Sequence, residues 1–184
     1  MRLCPVCQKV ELKEVMLDQD LPAHTCIGCG GIWVSANEYL SWGQTHRPAL
    51  APDLELDVPE PVFDTNKAIL CPDCGRILRR FKIWPHIKFH LDRCKNCNGV
   101  WFDKNEWHIL KEHNLHQQVN VFFTEPWQKK LRQEEARRRF EKMYLDKFGQ
   151  ADYAEIKRIK QWLTEHPRGV GLLAYLMDDN PYKG

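Results

Sequence analysis

The placement of its eight cysteines constrains this 184-residue chain more than any other feature. They form four Cys-x-x-Cys pairs with none left over: Cys4/Cys7, Cys26/Cys29, Cys71/Cys74 and Cys94/Cys97. Eighteen residues separate the first pair from the second, and nineteen separate the third from the fourth. Two pairs at this spacing are typical of a site in which four sulfurs bind one metal ion. The spacing therefore predicts two Cys4 metal sites.

The second half of each site belongs to a longer repeat. Residues 26–39 read CIGCGGIWVSANEY, and residues 94–107 read CKNCNGVWFDKNEW. The cysteines, the tryptophan and the glutamate of the later stretch follow those of the earlier one by 68 residues. Such self-similarity indicates a duplicated structural unit.

Zinc is the predicted ion, so we expect two zinc ions per chain. Zinc prefers four sulfurs in a tetrahedron, at about 2.3 Å. Iron in a rubredoxin-like site needs the same four sulfurs, and the spacing alone leaves this alternative open. Redox chemistry of a Cys-x-x-Cys pair needs a thioredoxin-like context that this sequence lacks. A four-sulfur zinc site has no open position for substrate, so the zinc is predicted to be structural and no enzymatic activity is expected.

Each unit is too small to bury a stable core alone. Binding of structural zinc supplies about 10–16 kcal/mol of folding free energy. Each copy is therefore predicted to be unfolded without its metal.

The motif CPDCG, the hairpin after it and the segment HLDRCKNCNGVWFDKNEW closely resemble the transcription factor IIB-type zinc ribbon family of bacterial proteins. CPVC with HTCIGCGGIWVSANEY resembles the same family, so the resemblance covers residues 1–44 and 68–114. It implies a zinc-binding, rubredoxin-like ribbon in each copy and, for some members, nucleic-acid binding. Gln8 and Asn98 stand where the family usually has glycine, which predicts small differences in loop geometry.

The predicted fold is a small, zinc-stabilised α+β fold. It has two rubredoxin-like zinc ribbons, each a β-hairpin with Cys4 zinc knuckles followed by a short helix, and a C-terminal α-helical segment. The predicted boundaries are 1–47 for the first ribbon, 48–66 for a linker, 67–116 for the second ribbon and 117–184 for the helical region. The linker is rich in proline and carries five acidic residues and no basic one. It is predicted to be extended, with an edge strand over residues 54–58 as the alternative.

A short helix is predicted to follow each ribbon, near residues 36–44 and near residues 104–114. Ser35-x-x-Glu38 and Asp103-x-x-Glu106 fit the capping box. A general acid or a fifth metal ligand is the alternative role for each glutamate.

Two tryptophans, Trp33 and Trp101, stand between knuckle and helix. Large rings dominate small cores, so each is expected to pack its own hairpin against its own helix.

The hairpin of the second ribbon is basic and aromatic. Residues 67–95 carry eight basic and two acidic residues, although the whole chain has a net charge of only +2. Basic side chains attract phosphate, and aromatic rings stack on bases. The predicted nucleic-acid residues are Arg79, Arg80, Lys82, Trp84, Lys88 and Arg93. The alternative is a hairpin whose aromatic residues are packed and whose charge is neutralised by the acidic linker.

The C-terminal region is predicted to be helical, with a break at Gly149. Its last apolar stretch, Leu172–Met177, needs a partner, which is the preceding helices, a ribbon or another subunit. A weak third metal site at His113 and His116 is disfavoured for want of a third ligand.

The sequence thus predicts a zinc-binding, non-enzymatic adaptor that binds nucleic acid through the second hairpin or, alternatively, a protein through the apolar C-terminal helices. No apolar run reaches the length of a membrane span, so no membrane association is expected. The N-terminus lacks the apolar core of a signal peptide, and the protein is expected to be cytoplasmic, where thiols stay reduced. The sequence does not predict an oligomeric state.

Overall fold

The computed structural model describes residues 1–18, 20–46, 64–85 and 87–182. The predicted edge strand over 54–58 therefore lies outside the described residues. Two compact units are present, residues 1–133 and residues 134–184. The first contains both ribbons, and the second is helical.

Each ribbon contributes three short strands and a helix to the first unit. The first ribbon consists of β1 (Lys13–Leu17), β2 (Leu21–Thr25), β3 (Ile32–Val34) and α1 (Ala36–Thr45). The second consists of β4 (Leu78–Lys82), β5 (His90–Cys94), β6 (Val100–Phe102) and α2 (Glu106–Glu112). A 3₁₀ turn, His116–Gln118, and the short helix α3, Val119–Phe122, follow the second ribbon.

The two ribbons share one antiparallel sheet, with the strand order β1-β2-β3-β6-β5-β4. The joint is the pairing of β3 with β6, in which Trp33 stands opposite Trp101. These residues occupy equivalent positions of the repeat, so a pseudo-twofold axis passes between them. The duplication has therefore produced one joined structure with a common centre.

The two faces of the sheet bury different clusters, as the period-two alternation of strands requires. Val34, Val100 and Phe102 point into a core formed with the helices. Trp33 and Trp101, which alternate with them, point into a second core that contains zinc-ligand cysteines. The metal knuckles thus pack on the face opposite the helices.

Each of the two tryptophans packs against the other copy of the repeat. This differs from the expected packing of each ring on its own helix. A Cβ atom on Gly31 would lie 2.1 Å from Cζ2 of Trp101, and one on Gly99 would lie 2.3 Å from Cζ2 of Trp33. Each ring therefore covers the glycine beside the other copy's knuckle, and only glycine leaves room for it. Trp33 Nε1 also donates to Asp73 Oδ2 in the second ribbon, at 3.2 Å.

The helices of the first unit are tied to one another by buried polar groups. The hydroxyl of Tyr39 on α1 donates to the carbonyl oxygen of His116 at 2.6 Å and accepts the amide of Val119 at 3.0 Å. Trp42 and Trp107 meet edge to face, with ring centroids 6.2 Å apart. These contacts again join the first ribbon to elements of the second.

The long helix α4, Glu125–Glu165, begins in the first unit. Trp127 Nε1 donates to the carbonyl oxygen of Ile83 at 3.0 Å, and Gln128 Nε2 donates to that of Lys82 at 2.8 Å. The first turns of α4 thus pack on the hairpin of the second ribbon.

The second unit contains the rest of α4 and the helix α5, Gly169–Met177. Gly149 has a left-handed backbone, with φ 78°, and interrupts α4 as predicted. Among the described residues, no helix combines the length and apolar character that crossing a membrane requires.

Candidate metal centres

The first Cys4 group joins the knuckle that precedes β1 to the knuckle between β2 and β3. The Sγ atoms of Cys4 and Cys29 are 3.6 Å apart, and those of Cys7 and Cys26 are 3.8 Å apart. One ligand atom from each of the four cysteines lies within 4.8 Å of all the others. A zinc tetrahedron with bonds of about 2.3 Å has sulfur-to-sulfur edges of about 3.8 Å. The four sulfurs therefore fit one zinc ion.

The second Cys4 group repeats this arrangement in the second ribbon. Cys71 Sγ lies 3.4 Å from Cys97 Sγ, and Cys74 Sγ lies 3.5 Å from Cys94 Sγ. All eight cysteines are free of disulfide bonds. The predicted ligands are thus brought together as two separate groups, and these are the sites of two zinc ions.

All four knuckles have the same turn. The residue after the second cysteine of each pair has a left-handed backbone, and its amide donates to the carbonyl oxygen of the first cysteine at 2.8–3.0 Å. These residues are Gln8 (φ 62°), Gly30 (φ 74°), Gly75 (φ 69°) and Asn98 (φ 59°). Gln8 adopts the same turn as the glycines, so the small irregularity expected there is absent from the backbone.

Burial and backbone amides act in opposite directions on the pKa values of the sulfurs. Burial raises the pKa of the Cys4 thiol to about 11 and also raises the pKa of the Cys71 thiol. Burial also acts on Cys94, but the amides of Cys97 and Asn96 donate towards its sulfur and lower its pKa to about 7. Zinc binds the thiolate form, so metal binding must release protons, and the cation compensates the buried negative charge.

Comparison with known families agrees with this geometry. The model of the transcription factor zinc-finger family, a TFIIB-type zinc ribbon, matches residues 3–45 and 70–113. The chain carries two tandem TFIIB-type zinc ribbons. Each match spans one complete Cys4 group and the helix after it. No curated protein and no solved structure gave a significant match to the chain.

Only part of the predicted nucleic-acid surface of the second ribbon is open. The side chains of Arg79 and Lys88 are exposed. Arg80 Nη2 forms an ion pair with Asp64 Oδ2 at 2.5 Å, so the end of the acidic linker neutralises part of the hairpin. The guanidinium of Arg93 lies 4.8 Å from the centre of the Phe123 ring.

The aromatic residues of that hairpin are packed. Trp84 and Trp127 have ring centroids 5.2 Å apart, and Phe81 meets Phe123 edge to face at 5.1 Å. Phe89 is buried, and the carbonyl oxygen of Lys82 accepts a hydrogen bond from Gln128. Most of these residues therefore fit the alternative prediction, in which the aromatic side chains of the hairpin are packed and its charge is partly neutralised by the linker.

The two predicted capping boxes differ. In the first ribbon the Ser35 hydroxyl accepts the Glu38 amide at 3.4 Å, and Glu38 Oε2 accepts the Ser35 amide at 3.1 Å, which confirms the capping box. In the second ribbon only half of it forms. Glu106 Oε2 accepts the Asp103 amide at 2.7 Å, but the Asp103 carboxylate binds elsewhere, and the N-cap residue of α2 is Asn105.

The Asp103 carboxylate accepts from three donors. Its Oδ1 accepts Trp101 Nε1 at 2.8 Å and the Thr65 hydroxyl at 3.1 Å, and its Oδ2 accepts the Thr65 amide at 2.6 Å. The prediction of a capping box at Asp103-x-x-Glu106 is therefore wrong, because the Asp103 side chain binds Thr65 at the end of the linker and Trp101 in the sheet. Sequence reasoning missed this contact, since nothing in the acidic linker distinguishes Thr65 from its neighbours.

The disfavoured histidine site is not formed. His116 is buried between Trp42 and Trp107, with both ring centroids 5.7 Å away. Among the described residues, the groups able to hold a metal are the two Cys4 groups and a carboxylate cluster, and neither His113 nor His116 belongs to them.

Proposed function

We propose that this protein is a non-enzymatic adaptor in which two zinc ribbons form a rigid platform and the helical unit binds a protein partner. Zinc held by four sulfurs has no open position, so the ions serve the fold. The reduced cysteines that the sites need suit a cytoplasmic protein.

The observation that carries this proposal is the exposure of α5. Its sequence, GVGLLAYLM, is apolar on every side, yet none of its residues is buried. Val170 is 87% exposed and Met177 is 77% exposed. A helix that is apolar all round is normally buried. Exposed apolar surface of this kind marks an interaction site in a soluble protein.

The rest of the second unit adds to this surface. The two parts of α4 on either side of Gly149 line an open groove of about 1060 Å³. Its apolar lining includes Phe140, Tyr144, Phe148 and Ile156, and the Lys157 ammonium donates to Glu141 Oε1 across it at 3.2 Å. Aromatic and aliphatic side chains at a groove are typical anchors for a partner helix.

Nucleic-acid binding is the second candidate function. The exposed Arg79 and Lys88 favour it, because solvated cations near a sheet surface attract phosphate. The packed Trp84 and the Arg80–Asp64 ion pair weigh against it, since they remove a stacking face and a free charge.

The two functions are separated by two matched sets of substitutions in the full-length, zinc-loaded protein. One set is Leu173→Asn with Leu176→Asn on α5, and the other is Arg79→Ala with Lys88→Ala on the hairpin. Each variant is cross-linked in cell extract with and without nuclease, and the recovered partners are compared.

Protein binding predicts that partners persist after nuclease treatment and after the hairpin changes but disappear with the α5 changes. Loss of all partners on nuclease treatment, together with loss in the hairpin variant alone, would replace the adaptor proposal with nucleic-acid binding. That second outcome would also include a steep fall of affinity with salt concentration.

A further inference from the structure

The buried glutamate at the start of α2 has an oxygen that nothing in the described structure satisfies. Glu106 is 1% exposed, and its Oε2 accepts the Asp103 amide. Its Oε1 is buried without a hydrogen-bond partner. Glu38, the equivalent residue of the first ribbon, is only partly buried and belongs to a complete capping box. The second copy of the repeat has thus placed a carboxylate in a buried position that its twin avoids.

A second buried oxygen of the same kind belongs to Asp64, whose carboxylate is part of the same cluster. Asp64 Oδ2 accepts a hydrogen bond from Arg80 Nη2 and lies 3.1 Å from His90 Nδ1, while Asp64 Oδ1 is buried and has no partner among the residues that the structure describes. Ligand oxygens of Asp64, Asp103 and Glu106 all lie within 4.8 Å of one another. Ionised carboxylates only accept hydrogen bonds, so three acidic side chains this close together, two of which carry an unpaired buried oxygen, need a positive group among them.

The charged residues around the cluster also indicate that its negative charge needs a compensating positive group. Asp92 is buried nearby, on the strand that pairs with β6, and is 2% exposed. The Arg80 guanidinium reaches the cluster, but it binds Asp64 Oδ2 and not the unpaired Oδ1. Burying several carboxylates together is costly unless a proton or a cation compensates them.

We propose that Asp64, Asp103 and Glu106 bind a hard divalent cation, of the class of Mg²⁺, Mn²⁺ or Ca²⁺, at a third metal site that is separate from the two zinc sites. Hard cations take carboxylate oxygens, whereas zinc takes the sulfurs of the knuckles. Asp103 Oδ1 already accepts two hydrogen bonds, but its Oδ2 accepts only the Thr65 amide and retains a lone pair for the ion. The cation fastens the linker end at Asp64 to the start of α2.

Terbium luminescence tests this site directly, because Tb³⁺ binds hard oxygen ligands and is excited by a tryptophan close to it. Trp101 donates to Asp103, so its ring lies beside the proposed ion. The full-length protein with two zinc ions bound is titrated with Tb³⁺ while the tryptophans are excited. The expected result is emission that saturates at one Tb³⁺ per chain and is displaced by Ca²⁺ or Mn²⁺, with zinc content unchanged.

Matched variants locate the site. Glu106→Gln and Asp64→Asn are each expected to weaken Tb³⁺ binding at least ten-fold, whereas Glu38→Gln, the same change in the other copy, is expected to leave it within two-fold. No saturable emission from the native protein, or emission that both ligand variants retain, would overturn the proposal in favour of a shared proton. If Glu106→Gln fails to hold two zinc ions, Asp64→Asn decides alone, since the Asp64 side chain is 18% exposed at the rim.

Discussion

The two ribbons share a repeat and a knuckle geometry, but they use the end of the repeat differently. Ser35 and Glu38 begin α1 with a complete capping box at a partly exposed position. Asp103 and Glu106, at the equivalent positions, are both buried and bind the linker end and each other. Zinc coordination constrains the cysteines alike in both copies, whereas the residues after them have diverged. The first copy uses a local helix signal at this position, whereas the second uses a tertiary contact.

The strongest test of this comparison is the loss of one zinc ion. Cys26→Ser and Cys94→Ser remove equivalent, fully buried ligands from the first and the second ribbon. Each change forfeits much of a binding free energy of about 10 kcal/mol. Because β3 and β6 pair in one sheet, we expect either variant to lose amide-exchange protection in both ribbons. A variant whose intact ribbon keeps native protection would instead establish two independent modules.

The exchanged tryptophans predict a second, symmetric effect. Gly31→Ala and Gly99→Ala each place a methyl group inside the ring of the other copy's tryptophan. Overpacking of this kind costs about 3 kcal/mol, and the two changes should cost similar amounts because the contacts are related by the pseudo-twofold axis. Denaturant unfolding of the zinc-loaded protein measures both.

A third glycine provides the control for these two changes. Beyond its chain neighbours and the backbone of its own helix, no atom of the described residues lies within 4 Å of a Cβ added at Gly43 in α1, so Gly43→Ala should stabilise the protein by about 0.5–1 kcal/mol. A large cost at only one of Gly31 and Gly99 would contradict the symmetric packing.

The divergent helix starts predict unequal costs at equivalent positions. Ser35→Ala removes one cap and should cost about 1 kcal/mol. Asp103→Ala leaves the indole of Trp101 and both donors of Thr65 without an acceptor, and it should cost about 2–3 kcal/mol. Equal effects in thermal unfolding would show that Asp103 is only a cap, as its position in the repeat suggests.

A smaller, pH-dependent effect is expected where the two copies meet around Trp42. Burial lowers the pKa of His116, and Lys111 and His46 act in the same direction against Asp18. The unfolded chain therefore takes up a proton near pH 6.5 that the folded chain does not, and this part of the stability falls below that pH. The loss is at most about 1.4 kcal/mol per pH unit.

His116→Leu should remove that loss, so the difference in Tm between variant and native protein should move in favour of the variant from pH 7 to pH 5.5. His108→Leu, at an exposed position of α2, controls for the removal of a histidine. A difference in Tm that stays constant over this range would contradict the role of burial.

The local features were predictable from the sequence, and the features that depend on distant contacts were not. Cysteine spacing predicts both metal sites, and Ser35-x-x-Glu38 predicts the start of α1, because these signals act over a few residues. The β3–β6 joint involves three pairs of residues that suit any strand. Trp33 and Trp101 could each pack on either copy. That each packs on the other copy follows only from the pairing of β3 with β6, which the sequence does not reveal.

The residues around Glu106 illustrate the same limit. Asp64 and Thr65 belong to a linker whose acidic composition predicts solvation, yet both reach the buried start of α2. The basic hairpin reads as a surface for phosphate, although Arg80 is paired and Trp84 is packed. The sequence shows which charged and aromatic side chains a segment contains. Contacts within the fold decide which of them are available to bind a ligand.

The central claim is that eight cysteines hold two zinc ions, four sulfurs to each. Zinc X-ray absorption on the purified full-length protein, combined with elemental analysis, measures both the number of ions and their ligands. The account predicts two zinc ions per chain with four sulfur neighbours at about 2.3 Å and no nitrogen or oxygen neighbour. One zinc ion per chain, or a ligand shell that includes nitrogen or oxygen, would contradict it.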